Sequence, residues 1–205
     1  MWWRRSKRLR RYDAKTLGRQ DKGQAGVPNC AWDVAIWVRA PGKRSYPLPL
    51  SLACSRHSPL LAPTPKDLAW VAPDSFVVTF ETSRGEVLVS AHRDWSPLGV
   101  DRLHFLVTHG FYDGARFFRV VPGFVVQWGI AGDPALSSMW GERRLPDEPV
   151  KQSNTRGRVS YARSGPNTRS VQLYINTGGN ARLDTTGTFR FPPIGEVRSG
   201  IELMD

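Results

Sequence analysis

Short apolar runs separated by turn residues dominate the chain from Pro73 onward, whereas residues 1–72 show no sustained periodicity. The first region, with scattered Trp, Pro and basic residues, predicts a tail or linker with room for one short helix. In the second, "SFVVTFET" and "EVLVSAH" flank Ser83-Arg84-Gly85 and predict a β-hairpin. "DWSPLGVDRLHFLVTHGF" then changes period. Ser96 is placed to cap, Pro97 suits the first helical position, and Asp101 lies early enough to complement the helix dipole. Val100, Leu103, Leu106 and Val107 form an apolar stripe and Gly110 ends it, so a helix of about twelve residues should pack on the sheet. "ARFFRVV" and "FVVQWG" around Pro122-Gly123 predict two more strands. A long polar stretch from Ile130 to Gly157 follows, then strands in "RVSYAR", "SVQLYIN" and "PPIGEV", with a loop from Thr177 to Phe191. Many short strands with one early helix predict a mainly β domain, a closed or nearly closed barrel, over residues 73–205.

Composition changes this picture in one respect. The formal net charge is +11, but residues 1–44 hold 12 Lys/Arg against 3 Asp/Glu, leaving 17 against 15 in the remainder. The basicity therefore belongs to an N-terminal arm, and a charge run of this kind reads first as a solvated tail, with nucleic-acid binding the minor reading. The Arg-rich, acid-poor first twenty residues are equally compatible with an organelle-targeting segment, a nuclear signal or a plain tail; the default expectation is cytoplasmic. Cys30 and Cys54 form neither a metal motif nor a disulfide framework, and His57, His92, His104 and His109 have no ligand spacing. Neither metal nor cofactor is expected. Pro47, Pro49, Arg56, His57 and Pro59 break up the longest apolar stretch, which predicts a soluble chain without a membrane span, expected as a monomer.

The stretch "FFRVVPGFVVQWG", Phe117 to Gly129, holds the most informative contrast. Arg119 and Gln127 are strongly polar residues in an otherwise apolar hairpin, and an unpaired buried charge is costly. Strand alternation puts Phe117, Arg119 and Val121 on one side and Phe118 and Val120 on the other. Spacing alone leaves an outer, wet placement of Arg119 and Gln127 as open as a functional one. Together with "SGPNTRSVQLYIN", however, this stretch resembles the cyclophilin family of peptidyl-prolyl isomerases, whose usual forms are F-H-R-x-x-P-G-F-x-x-Q-G-G and A-G-P-N-T-N-x-S-Q-F-F-I. The order of the surrounding elements agrees, from the first hairpin through "RLD" to "IGEV", so the resemblance covers roughly residues 74–204.

That resemblance implies an eight-stranded antiparallel barrel with one or two helices and a substrate groove on its outside. It implies that Arg119 is the catalytic guanidinium, that Gln127 orients the substrate carbonyl, and that Phe124 walls the proline pocket. Ala162, Arg163 and Gln172 fall along the peptide groove, Tyr174 at a pocket phenylalanine, Leu183 at the pocket leucine, and Phe191 at the pocket histidine. The implied substrates are proline-containing peptides and unfolded protein chains. The X-Pro amide rotates over a barrier of ~18–20 kcal/mol, and uncatalysed exchange takes tens to hundreds of seconds. Turnover near ~10² to 10³ per second corresponds to a barrier of about 13 to 15 kcal/mol. Twisting the amide returns a lone pair to the prolyl nitrogen, so a fixed donor aimed there binds the twisted state better than either planar one. Arginine suits this because it stays charged and presents a rigid fork of donors.

Several positions depart from the family pattern. Phe118 replaces the histidine before the arginine and is counted with the groove residues; Trp128 replaces the first of two glycines; Ser170-Val171 replace Gly-Ser. Arg163 stands at an asparagine, and Arg182 at a position often held by a tryptophan that favours cyclosporin binding, so weak cyclosporin sensitivity is expected. After "IGEV" only "RSGIELMD" remains, where the family continues through a helix and a final strand. The last barrel strand is therefore expected to be missing, and residues 45–72 offer few strand-like runs to replace it. The leading function is peptidyl-prolyl cis-trans isomerisation. The alternative is a catalytically weak module of the same fold that binds proline-containing peptides or a partner.

Overall fold

A computed structural model describes residues 58–185 and 190–205. The basic arm, both cysteines and His57 lie outside those residues. Seven antiparallel strands make one sheet in the order β1-β2-β7-β5-β6-β4-β3. β1 (Ser75–Thr82) and β2 (Gly85–His92) form the expected hairpin, paired without a break from Ser75↔His92 to Thr82↔Gly85. β3 (Arg119–Val121) and β4 (Val125–Trp128) flank Pro122-Gly123, and β5 (Arg158–Tyr161), β6 (Leu173–Asn176) and β7 (Pro193–Ser199) fall within the predicted runs. An eighth strand has no counterpart among the described residues, so β1 and β3 are the terminal strands of the sheet. The fold is mainly β, as the sequence pattern predicts.

Alternation decides which residues face the core. Phe76, Val78, Val87 and Val89 point inward and are buried, as are Val126, Val159, Ile175 and Ile194, while Val77 on the outward face of β1 is 51% exposed. Helix α2 (Pro97–Thr108) packs Val100, Leu103 and Leu106 on this surface, as its stripe predicts. Its N-terminus corrects one expectation. Ser96 makes no capping bond to the backbone; its hydroxyl donates to Glu148, whose carboxylate accepts the Leu98 and Gly99 N–H groups at 2.8 and 3.2 Å. A residue 50 positions away in sequence thus caps the helix, a long-range substitute that no local motif announces. Asp101 is likewise committed to Arg93 and to the Ala72 N–H, both at 2.8 Å.

Two further elements depart from the reading of the sequence. Residues 58–72, expected to belong to the tail, pack against the domain. Leu60 and Ala72 are buried, Leu60 O accepts the Trp140 indole N–H at 2.8 Å, and the short helix α1 (Pro65–Leu68) carries a capping box between Thr64 and Asp67. The polar stretch after Ile130 contains helix α3 (Pro134–Gly141), started by Asp133, whose side chain accepts the Ala135 N–H, and by Pro134 in the first turn. Asp-Pro was a legible start signal there; the short apolar content after it hid the helix.

His104 on α2 is buried between Trp70 and Phe76, and its Nδ1 accepts the Trp70 indole N–H at 2.8 Å. Burial pushes its pKa down to about 4. The folded value lies below the unfolded one, so the unfolded chain takes up the proton first, and stability should fall as pH drops from about 6.5 toward 4. Denaturant midpoints measured across that range should decline for the wild type and decline less for His104→Asn, whose amide oxygen replaces the Nδ1 acceptor without titrating.

Candidate active site

β4 is the strand that builds the site. Its register against β3 places Arg119 opposite Gln127, and against β6 places Gln127 opposite Tyr174; β5 continues the row with Ser160 opposite Tyr174. Directly opposed residues share a face, so Arg119, Gln127 and Tyr174 line one surface while Val126, Ile175 and Val159 line the other, in the core. The register thus puts both polar side chains on the face away from the core. Arg119 is exposed, and Gln127 beneath it is buried at 8%. The guanidinium donates to Gln127 Oε1 at 3.2 Å, and Gln127 Nε2 donates to Gln172 Oε1 at 2.9 Å. A relay of side-chain bonds therefore fixes the amide of Gln127 and aims the arginine, which also lies 5.8 Å from the Phe124 ring centre.

These residues open into a groove of about 450 Å³. Its walls include Arg119, Gln127, Phe124, Ala162, Arg163, Gln172, Tyr174, Leu183 and Phe191, nine of the ten residues that sequence reading assigns to the site. Phe118 is the tenth and is not among them. It precedes β3 and is 45% exposed, whereas Phe117, which alternation would place beside Arg119, packs against Trp128 in the core, so the strand alternation does not run back through these two residues. Arg163 reaches the groove with its charge already compensated, by Asp147 at 2.6 Å and by the carbonyls of Gly165 and Arg190. Arg182 lies over the Phe124 ring at 4.7 Å, a cation on the outer face of the pocket wall.

The apolar end is held by a polar node that sequence reading missed. Asn154 is fully buried; its Nδ2 donates to Asp184 Oδ1 and Phe191 O at 2.8 and 2.7 Å, and its Oδ1 accepts from Ser160, Tyr174 and Asn176. One side chain thereby ties together three pocket walls: Tyr174, the 3₁₀ turn Ala181–Asp184 that carries Leu183, and the segment that carries Phe191. Burial holds the Tyr174 hydroxyl well above its ordinary pKa, so it remains a neutral donor within this node. Phe124 is fixed through its carbonyl, which accepts from Thr177 N and Asn180 Nδ2. Gly178 passes so close to Gly123 that an added Cβ would lie 2.0 Å from the Gly123 carbonyl oxygen. Asn154 precedes Thr155 in a polar run without period, so nothing local marks it as structural.

Trp128, at a position where the family pattern has glycine, turns into the core and is 4% exposed, with ring centres of Phe80 and Phe117 at 5.5 and 5.4 Å. The following Gly129 has φ +113°, and a Cβ there would meet the Val171 carbonyl at 2.5 Å, so the second glycine of the pattern is retained for steric reasons. Among the described residues no cluster of three or more His, Cys, Asp or Glu is arranged to hold a metal ion, and no helix is long and apolar enough to cross a membrane.

The antiparallel β domain thus holds an arginine at the edge of an external groove with apolar walls. Comparison with known proteins identifies the family. The family model described as cyclophilin type peptidyl-prolyl cis-trans isomerase/CLD matches residues 77–205. Peptidyl-prolyl cis-trans isomerase-like 3 of Rattus norvegicus is 32% identical over 135 residues, 62% of this chain and 79% of that protein. Peptidyl-prolyl cis-trans isomerase A of Dickeya dadantii is 33% identical over 145 residues, 67% of this chain and 73% of that protein. In fold, a cyclophilin type isomerase of Cryptosporidium parvum superposes with a TM-score of 0.52 at 24% identity, over 62% of this chain and 79% of that one; it has also been crystallised in the presence of the dipeptide Ala-Pro. The chain belongs to the cyclophilin-type peptidyl-prolyl cis-trans isomerase family, and isomerisation of X-Pro bonds is its function.

Proposed function

We propose that the groove described above is the isomerase site and that each wall has a separate task. The apolar end, formed by Phe124, Tyr174, Leu183 and Phe191, takes the proline ring. Arg119 donates to the prolyl nitrogen as the amide twists and its lone pair is restored, an interaction that the planar cis and trans states lack. Gln127, held by Gln172, presents its amide to the carbonyl of the residue before proline and limits which side of the bond rotates. The observation that carries this reading is the Arg119–Gln127–Gln172 relay at the mouth of an apolar pocket: a fixed cation with no carboxylate partner among the described residues. The substrates are proline-containing peptides and unfolded protein segments, in keeping with the Ala-Pro dipeptide present with the Cryptosporidium parvum fold neighbour.

Exchange spectroscopy on an Ala-Pro peptide tests this directly. Catalytic amounts of the folded chain should accelerate cis-trans exchange well above the uncatalysed rate. Phe124→Ala should weaken peptide binding by about tenfold through loss of buried apolar contact, with a smaller effect on the rate at saturation. A folded chain that binds the peptide without accelerating exchange would identify a binding module instead.

A further inference from the structure

The groove is lined by more than the residues assigned to the proline pocket, and the others have a different chemistry. Tyr174, Gln172 and Ser170 are alternate residues along one chain segment, and all three line the groove, with Ala162 and Ser164 on the neighbouring segment. A groove of about 450 Å³ has room for peptide residues beyond the proline ring. Beside the apolar walls, the lining includes Gly141, Arg144, Ser164, Thr168 and Ser170. Three arginines, Arg119, Arg144 and Arg163, contribute to the groove, and no Asp or Glu does. This imbalance is local, because the chain after residue 44 has 17 Lys/Arg against 15 Asp/Glu.

The three cations are not equivalent. Arg163 is neutralised by Asp147, and Arg119 is engaged by Gln127 at the catalytic position. Neighbouring Arg143 is turned over the Trp140 ring, 5.5 Å from its centre. Arg144 is exposed, lines the groove, and alone of this group has no ion-pair, ring or side-chain hydrogen-bond partner among the described residues. An unpaired guanidinium lining a groove that also carries hydroxyls is suited to a carboxylate, which it receives with two parallel donors.

We propose that this isomerase selects X-Pro substrates carrying an acidic side chain within about three residues of the proline, and that Arg144 is the specificity-determining residue. The proposal rests on the groove being the peptide site. The acidic group docks between Arg144 and the hydroxyls of Ser164, Thr168 and Ser170. Its contribution is that of a partly exposed charge pair, a few-fold in kcat/KM, and it weakens with added salt.

Matched Ala-Pro peptides bearing Glu, Gln or Lys two residues before or two residues after the proline provide the test, with kcat/KM for exchange measured at low and high salt. The wild type should favour Glu over Gln by about three- to fivefold on one side of the proline, disfavour Lys, and lose most of the difference at ~0.5 M salt. In Arg144→Gln the Glu-to-Gln ratio should fall to about one, and in Arg144→Glu the order should invert in favour of Lys. A ratio near one in the wild type at both positions, or a ratio that survives in Arg144→Gln, overturns the proposal. The Gln peptides separate the two levels of inference: if the wild type accelerates them, the isomerase site stands whatever the charge preference, and if it accelerates none of the peptides, the site assignment fails and the specificity proposal falls with it.

Discussion

Arg119→Ala should lower kcat/KM for X-Pro exchange by about 10² to 10³-fold, the scale seen when a single fixed donor is removed from a site that stabilises charge developing in the transition state. The loss should fall mainly on kcat. The planar substrate offers the guanidinium little, because its prolyl nitrogen lone pair is delocalised into the carbonyl, and the donor is rewarded only once the bond twists. Stability should be unaffected within about 0.5 kcal/mol, since Arg119 is exposed and its hydrogen bond within the described residues is to Gln127. Arg119→Lys should recover only part of the activity: an ammonium keeps the charge but lacks the planar fork that contacts Gln127 and the prolyl nitrogen together. Exchange spectroscopy and a denaturation curve on each variant decide the matter. A folded Arg119→Ala protein with wild-type exchange rates would remove Arg119 from the mechanism and leave pocket binding alone to explain catalysis.

The walls of the groove were legible through the resemblance of two motifs to a known family, not through periodicity, which singled out Arg119 and Gln127 as polar residues in an apolar hairpin and left their role open. Register was not legible, because the Pro-Gly turn could join β3 to β4 in more than one alignment; it took the pairing Arg119↔Gln127 to show that the two polar residues meet. Phe117 and Phe118 mark where the strand period stops: both precede β3, and Phe117 packs on Trp128 in the core instead of sharing the face of Arg119. What lay beyond reach were contacts between segments distant in sequence. Asn154, which ties Tyr174 to the segments of Leu183 and Phe191, and Glu148, which caps α2, both sit in a polar stretch without period, and their roles exist only once the chain is folded. Residues 58–72 were misread for a related reason. Their packing depends on single anchors, Leu60 and Ala72, rather than on a repeating apolar face.

Glu148→Ala is expected to be the most destabilising single change in the domain, by about 3–5 kcal/mol in chemical denaturation. Glu148 meets two demands at once. It accepts from Ser96 and from the first N–H groups of α2, and it pairs at 2.9 Å with Arg169, whose side chain is fully buried and also donates to Ser96 and to the Pro146 carbonyl. Removing the carboxylate leaves a guanidinium in the interior without its countercharge and uncaps the helix, and a domain of ordinary stability retains little margin after such a loss. Glu148→Gln, which keeps an acceptor but not the charge, should fall between the two. The double variant Glu148→Leu with Arg169→Met should be more stable than Glu148→Leu alone, because it removes the orphaned charge together with its partner. The effect should reach the active site, since Thr168 and Ser170, on either side of Arg169, line the groove. The double variant should therefore bind acidic-flanked peptides less selectively than the wild type while still accelerating exchange at Arg119. A loss below about 1 kcal/mol in Glu148→Ala would show that the pair is solvated in solution and that α2 is held by its apolar face alone.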